Sequence, residues 1–299
     1  MKKSLSFPLV IVLVLSATSS LLAQTPAAPG GPPKVLQIFR EEVKPGKSVA
    51  HEKWETGWPR AFAKANWPTR FLAITSLSGP SEAWFLTGHE SFAAWEKDRQ
   101  NFDKAAALKA EDDRLSAGDG EFLSASRSIV AALREDLSNK PNITLGKMRY
   151  FRIVMYRVRP GHETDFADAA KIVREAYEKA KVDFPWAVYQ IVSGMPGPTY
   201  LVFAPMKSLE EIDAAQARSK TIQEAEGEEN GKKLQKLSSD GFLTTESNIY
   251  AFSPKMSYVA PEVASADPDF WTPKPAAAPA AKDAAKDAAK EKGKKPAKP

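Results

Sequence analysis

The feature that most constrains the fold of this chain is an internal sequence repeat in its middle. The segment 34–46 returns 115 residues later as the segment 149–161, and both copies end in Pro-Gly. A Ser-Gly pair follows at the same spacing, at 78–79 and at 193–194. A repeat of this length in a fixed order predicts two copies of one domain rather than a solenoid of short units.

Each copy shows the same order of secondary-structure patterns. A segment rich in β-forming residues ends at Pro-Gly, and apolar residues at helical spacing follow it. Two further strand segments then flank the Ser-Gly turn and predict a hairpin. A second helix is predicted to begin with Ser91 or Ser208 as N-cap, and a last strand follows an Asp-Gly pair. The order β-α-β-β-α-β is that of the ferredoxin-like split unit. The predicted strands are 35–43, 71–77, 84–87, 122–131, 150–159, 187–192, 200–203 and 242–252.

Composition shifts divide the chain further. Residues 24–33 are rich in Pro, Ala and Gly, and residues from 273 onward are almost entirely Ala, Lys and Pro with interspersed acids. A polar, Pro-containing stretch separates the copies. We predict these segments: signal peptide 1–23, flexible leader 24–33, first ferredoxin-like unit 34–137, linker 138–146, second ferredoxin-like unit 147–258, C-terminal arm 259–272 and disordered tail 273–299.

The formal net charge of +5 belongs to the ends of the chain. Lys2 and Lys3 contribute two positive charges and residues 274–299 contribute a net five, which leaves the rest at −2. A mildly acidic core does not favour specific nucleic-acid binding. The lysine-rich tail is either a solvated spacer or a polycation that contacts anionic polymers of the cell envelope.

The N-terminus is typical of a secretory signal. Lys2 and Lys3 precede the apolar run Leu9–Leu15, and Ala23 is a suitable residue before the cleavage site. The run is interrupted by serines and falls short of the roughly 20 apolar residues of a spanning helix. We therefore expect an exported, periplasmic or extracellular protein. The absence of cysteine excludes disulfides and thiol-based sites.

The strand that ends in 158–162, Val-Arg-Pro-Gly-His, and continues into a helix with Phe166 resembles the opening of dimeric α/β-barrel domains. That superfamily includes antibiotic-biosynthesis-monooxygenase-like, NIPSNAP-like and EthD-like proteins. The resemblance implies an α+β fold in which two ferredoxin-like βαββαβ units pack as an intramolecular α/β-barrel pseudo-dimer. It covers residues 34–258 and implies no single activity, because the superfamily holds cofactor-free oxygenases, haem enzymes, isomerases and proteins without known activity.

Candidate ligand-binding residues come from asymmetry between the copies. Five of the seven tryptophans lie in the first copy, and Trp54, Trp58 and Trp84 are the candidates among them. Such aromatic mass either lines a pocket for a flat apolar ligand or fills the core. His89 ends the strand of Trp84. Arg40, matched by Met155, either orients an acidic or carbonyl group of a ligand or lies exposed on its strand.

Metal and haem sites are weakly indicated. His51 and Glu55 are four residues apart and share a helix face, but two such residues without a third ligand predict no metal site. The resemblance to haem-degrading barrel enzymes implies an Asn, Trp and His set. Trp84 and His89 fit that set, whereas Gln37 and Ile38 stand where the Asn is expected. No cofactor is favoured, with haem a minor alternative.

The sequence leaves the function open between three classes. The first is an exported small-molecule-binding protein of the α/β-barrel type, with a small apolar or aromatic ligand. The second is a non-catalytic structural or interaction protein of the envelope, and the third is a cofactor-free or haem-dependent monooxygenase. We expect a monomer or a weak homo-oligomer.

Overall fold

The computed structural model describes residues 31–142 and 144–272, and its centre is a closed antiparallel barrel of eight strands. The fold is therefore α+β, as predicted. The strands are β1 (Val35–Val43), β2 (Phe71–Ser76), β3 (Glu82–His89), β4 (Leu123–Leu133), β5 (Tyr150–Val158), β6 (Ala187–Ser193), β7 (Thr199–Met206) and β8 (Phe242–Phe252).

Both copies of the repeat contribute four strands to this one barrel. The order around it is β1-β3-β2-β8-β5-β7-β6-β4, and every neighbouring pair is antiparallel. Each copy therefore has its first strand between its fourth and third, with its second strand at one edge. The copies join where β2 pairs with β8 and where β4 pairs with β6.

Helices follow the strands in the predicted places. They are α1 (Ser48–Glu55), α2 (Gly57–Lys64), α3 (Phe92–Lys104), α4 (Ala106–Asp119), α5 (Glu163–Lys179), α6 (Glu210–Glu226), α7 (Glu228–Gly241), α8 (Pro261–Ala266) and α9 (Pro268–Trp271). Among the described residues, no helix is long and apolar enough to cross a membrane.

Alternation along each strand separates the lumen of the barrel from its helix-covered face. On β1, Leu36 and Ile38 belong to the apolar cluster that fills the lumen. Arg40, two residues further along, lines a polar cavity of about 350 Å³ at one end. The opposite end is apolar, and the C-terminal arm closes against it through Trp271, which is buried and donates to the Gly146 carbonyl.

The structure confirms the predicted order of elements and corrects two details. Ser91 caps α3 by accepting from the Ala94 N–H, as expected, whereas α6 begins after Leu209 and Ser208 provides no side-chain cap. Each predicted second helix is in fact a pair of helices, α3 with α4 and α6 with α7.

The first helix of the first copy is also interrupted. A proline in a helix interior breaks or kinks the helix. Here α1 ends before Thr56, and Pro59 lies in the first turn of α2. A proline is tolerated there because the N–H groups of the first turn have no intrahelical partner.

The predicted signal peptide (1–23) and tail (273–299) lie outside the described residues, as does most of the leader.

Candidate functional site: a cavity over the first-copy sheet

A cavity of about 340 Å³ lies between the outer face of β1, β2 and β3 and the helices α2 and α4. Five aromatic side chains form part of its wall, and three carboxylates, one amide and two hydroxyl groups complete it. The lining residues are Gln37, Phe39, Glu41, Glu55, Trp58, Phe62, Phe71, Phe85, Thr87, Asp112 and Ser116. Phe39 is 41% exposed, so the cavity opens to solvent beside it.

At the inner end of this cavity lies a buried polar cluster. Glu41 points outward from β1, and His51 reaches it from α1, with a hydrogen bond of 2.8 Å between His51 Nε2 and Glu41 Oε2. Glu55 comes one helical turn after His51, which places both side chains on the same face of α1. Asp119 joins from the end of α4. All four residues are at most 5% exposed.

The four side chains converge on one point. His51 Nε2 lies 3.8 Å from Glu55 Oε1 and 3.8 Å from Asp119 Oδ1. One donor atom from each residue can be chosen so that all four lie within 4.8 Å of one another. Glu55 Oε1 and Asp119 Oδ1 are buried and have no hydrogen-bond partner among the described residues. The arrangement therefore offers three carboxylates and one imidazole to whatever occupies its centre.

Burial of these carboxylates shifts their acidity. Burial, together with the neighbouring Glu41 and Asp119 carboxylates, raises the pKa of Glu55 to about 10. Burial also raises the pKa of Glu41, against the opposing effect of the hydrogen bond with His51. The pKa of Asp119 is raised for the same reason, burial. Strongly shifted groups beside a cavity are typical of functional sites.

The second copy has a cavity in the matching place, but without the charged cluster. It measures about 450 Å³ and lies between the outer face of β5, β6 and β7 and the helices α5 and α7. At the spacing of 115 residues, Tyr156 replaces Glu41, Phe166 replaces His51 and Ala170 replaces Glu55. The rings of Tyr156 and Phe166 pack 5.4 Å apart, and Phe166 stacks on Tyr200 at 4.0 Å. An apolar contact therefore fills the same position in the fold.

Of the predicted ligand-binding residues, only Trp58 lines the first-copy cavity. Its Nε1 donates to Asp112 Oδ1 at 2.8 Å. Trp54 instead packs against Phe122, and its Nε1 donates to the Leu115 carbonyl, so it joins α1 to α4.

Trp84 and Arg40 lie on the other side of the sheet, in the barrel lumen. Arg40 forms an ion pair with Glu82, whose side chain is fully buried, and its guanidinium stands over the Trp84 ring at 5.3 Å. Glu82 Oε2 accepts from Trp84 Nε1 at 2.8 Å and from the Tyr250 hydroxyl at 3.1 Å. Burial raises the pKa of Tyr250, and the Glu82 charge raises it further. The guanidinium of Arg40 therefore pairs with Glu82 of the same chain.

His89 ends β3 away from the cavity and lies 6.3 Å from Trp95, ring to ring. Burial lowers its pKa. The structure therefore does not bring Trp54, Trp58, Trp84 and His89 together around one pocket. Whether any of them binds a ligand stays a prediction.

A one-residue error in aligning β3 with β7 explains why Trp84 and Tyr200 do not occupy equivalent positions. Alignment of the two copies by their aromatic residues matches Trp84 with Tyr200. In the structure, however, Trp84 pairs with Arg40 across β1 and β3, and the corresponding partner of Met155 is Leu201. A slip of one residue moves a side chain to the opposite face of a sheet. Tyr200 therefore faces α5, whereas Trp84 faces the lumen.

Sequence reasoning missed Glu41 and Asp119. The i, i+4 spacing of His51 and Glu55 indicates two polar side chains on one helix face. Glu41 is one of the alternate residues of β1 that face away from the barrel lumen. Nothing local connects Asp119 to them, because 68 residues separate it from His51. The third and fourth donors come only from the tertiary fold.

Three solved structures are similar to this one at low sequence identity. A candidate monooxygenase from Fusobacterium nucleatum is 13% identical, with 73% of this chain and 91% of that chain covered and a TM-score of 0.48. An anthrone oxidase-like protein is 14% identical, covers 74% and 92%, and has a TM-score of 0.48. A mutant chlorite dismutase from Candidatus Nitrospira defluvii is 8% identical, covers 75% and 92%, and has a TM-score of 0.43.

These likenesses all have TM-scores below 0.5, so the resemblance to the dimeric α/β-barrel superfamily stays a prediction. The narrower resemblance to the antibiotic-biosynthesis-monooxygenase-like, NIPSNAP-like or EthD-like groups stays a prediction. No family model matches the sequence, and no curated protein matches it. With TM-scores below 0.5, the neighbours assign neither an activity nor a ligand to this chain.

Proposed function

We propose that this chain is an exported small-molecule-binding protein whose ligand, a small apolar or aromatic molecule, occupies the first-copy cavity. The observation that carries the proposal is the cavity of about 340 Å³, in which five aromatic side chains stand beside polar groups that are buried at its inner end. Ligand sites are typically apolar clefts of this kind with a few convergent polar groups. Export rests on the sequence of residues 1–23.

The proposal extends to the architecture. We propose that the barrel is an intramolecular pseudo-dimer of two ferredoxin-like units, one from each copy. Three matches between the halves support it. The strand order is the same, the antiparallel pairs β1–β3 and β5–β7 have corresponding registers, and each half has a cavity at the corresponding position. A single chain then provides both halves of the barrel, which is consistent with a monomer or weak homo-oligomer.

A haem-dependent monooxygenase is less well supported. Neither the first-copy cavity nor its second-copy counterpart has a histidine in its lining. His89 lies outside both cavities, and His51 is turned into the carboxylate cluster. The residues do not fit a histidine-ligated haem in either cavity, so no step through haem is derived.

The test is a titration with N-phenyl-1-naphthylamine, a neutral aromatic probe whose fluorescence rises in apolar surroundings. Ser116→Leu places a larger side chain in the first-copy cavity, and Ala170→Leu does the same in the second-copy cavity. We expect the wild type and Ala170→Leu to bind one probe per chain. Ser116→Leu should weaken binding at least about tenfold, because the added methyl groups occupy the space of the ligand.

Three results would contradict the proposal. They are no binding of the probe by the wild type, equal binding by Ser116→Leu and the wild type, and loss of binding only in Ala170→Leu. Trp58→Phe adds a positional check. Energy transfer from tryptophan to the bound probe should fall in this variant, since Trp58 lines the cavity.

A further inference from the structure

We propose that Glu41, His51, Glu55 and Asp119 bind one divalent first-row transition-metal ion at the inner end of the first-copy cavity. This site goes beyond the proposed binding of an apolar ligand, because it stands on the buried cluster alone.

The spacing of the donor atoms is close to that of a coordination shell. Ions of this class hold nitrogen and carboxylate oxygen at about 2.0–2.2 Å, so neighbouring donors in a tetrahedral shell are about 3.4 Å apart. The four donor atoms here lie within 4.8 Å of one another, with two separations from His51 Nε2 of 3.8 Å. The side chains therefore converge on a space the size of one ion, and they move inward when the ion binds.

Two oxygens aim into the cluster without a partner. Glu55 is 2% exposed and Asp119 is 5% exposed, and Glu55 Oε1 and Asp119 Oδ1 make no hydrogen bond among the described residues. Leaving a buried polar atom unsatisfied costs about 1–3 kcal/mol, and more for a charged group. A cation between these oxygens satisfies both at once.

The second copy shows that the fold does not need this cluster. At the matching positions Tyr156, Phe166 and Ala170 pack as apolar residues around the same strand and helix. Collecting three carboxylates in place of such packing is unfavourable unless their charge is compensated. Among the described residues, His51 is the one basic side chain within 4 Å of these carboxylates. A divalent ion compensates the charge of the carboxylates that bind it.

The donor set selects the class of ion. Carboxylate oxygens alone suit Mg²⁺ and Ca²⁺, whereas an imidazole nitrogen among them favours Mn²⁺, Fe²⁺, Co²⁺ or Zn²⁺. Glu41 and Glu55 also line the cavity, so an ion bound here faces the space in which the proposed ligand lies.

The test measures metal binding directly. Protein stripped with a chelator is titrated with Zn²⁺, Mn²⁺ and Co²⁺ by calorimetry, and the visible spectrum of the Co²⁺ form reports the coordination geometry. We expect one ion per chain and a higher Tm with the ion bound, because a ligand that binds only the folded state stabilises it. The spectrum should change with His51→Gln, which removes the nitrogen donor.

Two isosteric variants, Glu55→Gln and Asp119→Asn, remove one anionic donor each. They should fold, since they also remove like charges from the cluster, and near-ultraviolet circular dichroism checks this. Each should weaken binding by at least about 10- to 100-fold, the range observed even for groups that only support a ligand. Asp165→Asn is the matched control, because His162 and Asp165 form a similar pair, 2.6 Å apart, in which each side chain is one-third exposed.

Absence of stoichiometric binding for all three ions would overturn the inference. Undiminished binding by folded Glu55→Gln and Asp119→Asn, or an equal loss in Asp165→Asn, would also overturn it. The outcome is separate from that of the probe titration. Metal binding without probe binding leaves the ion site standing, and probe binding without metal leaves the proposed ligand cavity standing.

Discussion

His51 and Glu41 lie 2.8 Å apart, ring nitrogen to carboxylate oxygen, where the second copy of the same fold places Phe166 against Tyr156. The two copies share a strand order and a helix position, and they differ at this contact in charge. The buried cluster of ionisable side chains therefore lies in the first copy. The predictions that follow test the packing and electrostatics on which this description rests.

The ion pair in the lumen should behave as a unit. Glu82→Thr removes the buried carboxylate that pairs with Arg40, whose side chain is 14% exposed. We expect a loss of about 3 kcal/mol in the free energy of unfolding, measured by urea denaturation. The double variant Arg40→Met, Glu82→Thr installs the residues of the second copy, Met155 and Thr199. It should be more stable than Glu82→Thr alone, and equal stability would contradict the account.

Gly118 should not tolerate a side chain, although it lies inside α4. A Cβ at this position would come within 2.2 Å of the Trp54 ring, which is held by its hydrogen bond to Leu115. Gly118→Ala is expected to lower stability by about 1–3 kcal/mol through overpacking, despite the better helix propensity of alanine. Gly120→Ala is the control, since no atom lies within 4 Å of its added Cβ. Thermal unfolding of the two variants should separate them clearly.

Ser91 and Ser208 should respond differently to the same substitution. The Ser91 hydroxyl accepts from the Ala94 N–H at the start of α3, whereas α6 begins without a side-chain cap. Ser91→Ala should cost about 1 kcal/mol, the usual value of a lost N-cap. Ser208→Ala should change stability by less than about 0.5 kcal/mol. A similar loss in both variants would show that Ser208 caps α6 after all.

Stability should depend on pH through His89. Burial lowers its pKa in the folded protein, so the unfolded chain binds the proton more tightly. The free energy of unfolding should therefore fall as the pH is lowered from about 6.5, the ordinary histidine value, through the lower folded-state value. His89→Asn removes this contribution. The difference in stability between the wild type and His89→Asn, measured from pH 8 to pH 5, should shift against the wild type at acidic pH, and a constant difference would contradict the prediction.

Local patterns were enough to predict most of the elements. The repeat placed β1 at its observed bounds, the Ser-Gly turns placed both hairpins, and Ser91 marked the start of α3. These features depend on residues that are close in sequence, because alternation, turn chemistry and capping act over a few residues. The matching of Trp84 with Tyr200 failed by one residue, since spacing in sequence does not reveal a small insertion before a strand.

The sequence by itself determined that two similar halves exist, that each alternates strands and helices in one order, and that five of the seven tryptophans lie in the first. Only the tertiary structure decided which face of each strand points into the barrel. Neighbouring residues on β1 show the consequence: Arg40 points into the lumen and meets Glu82, whereas Glu41 points outward and meets His51. Alternation places the two residues on opposite faces, but closure of the barrel sets which face is the lumen. Asp119 lies beside His51 because α4 packs next to α1, although 68 residues separate the two side chains in sequence. No local pattern predicts that contact.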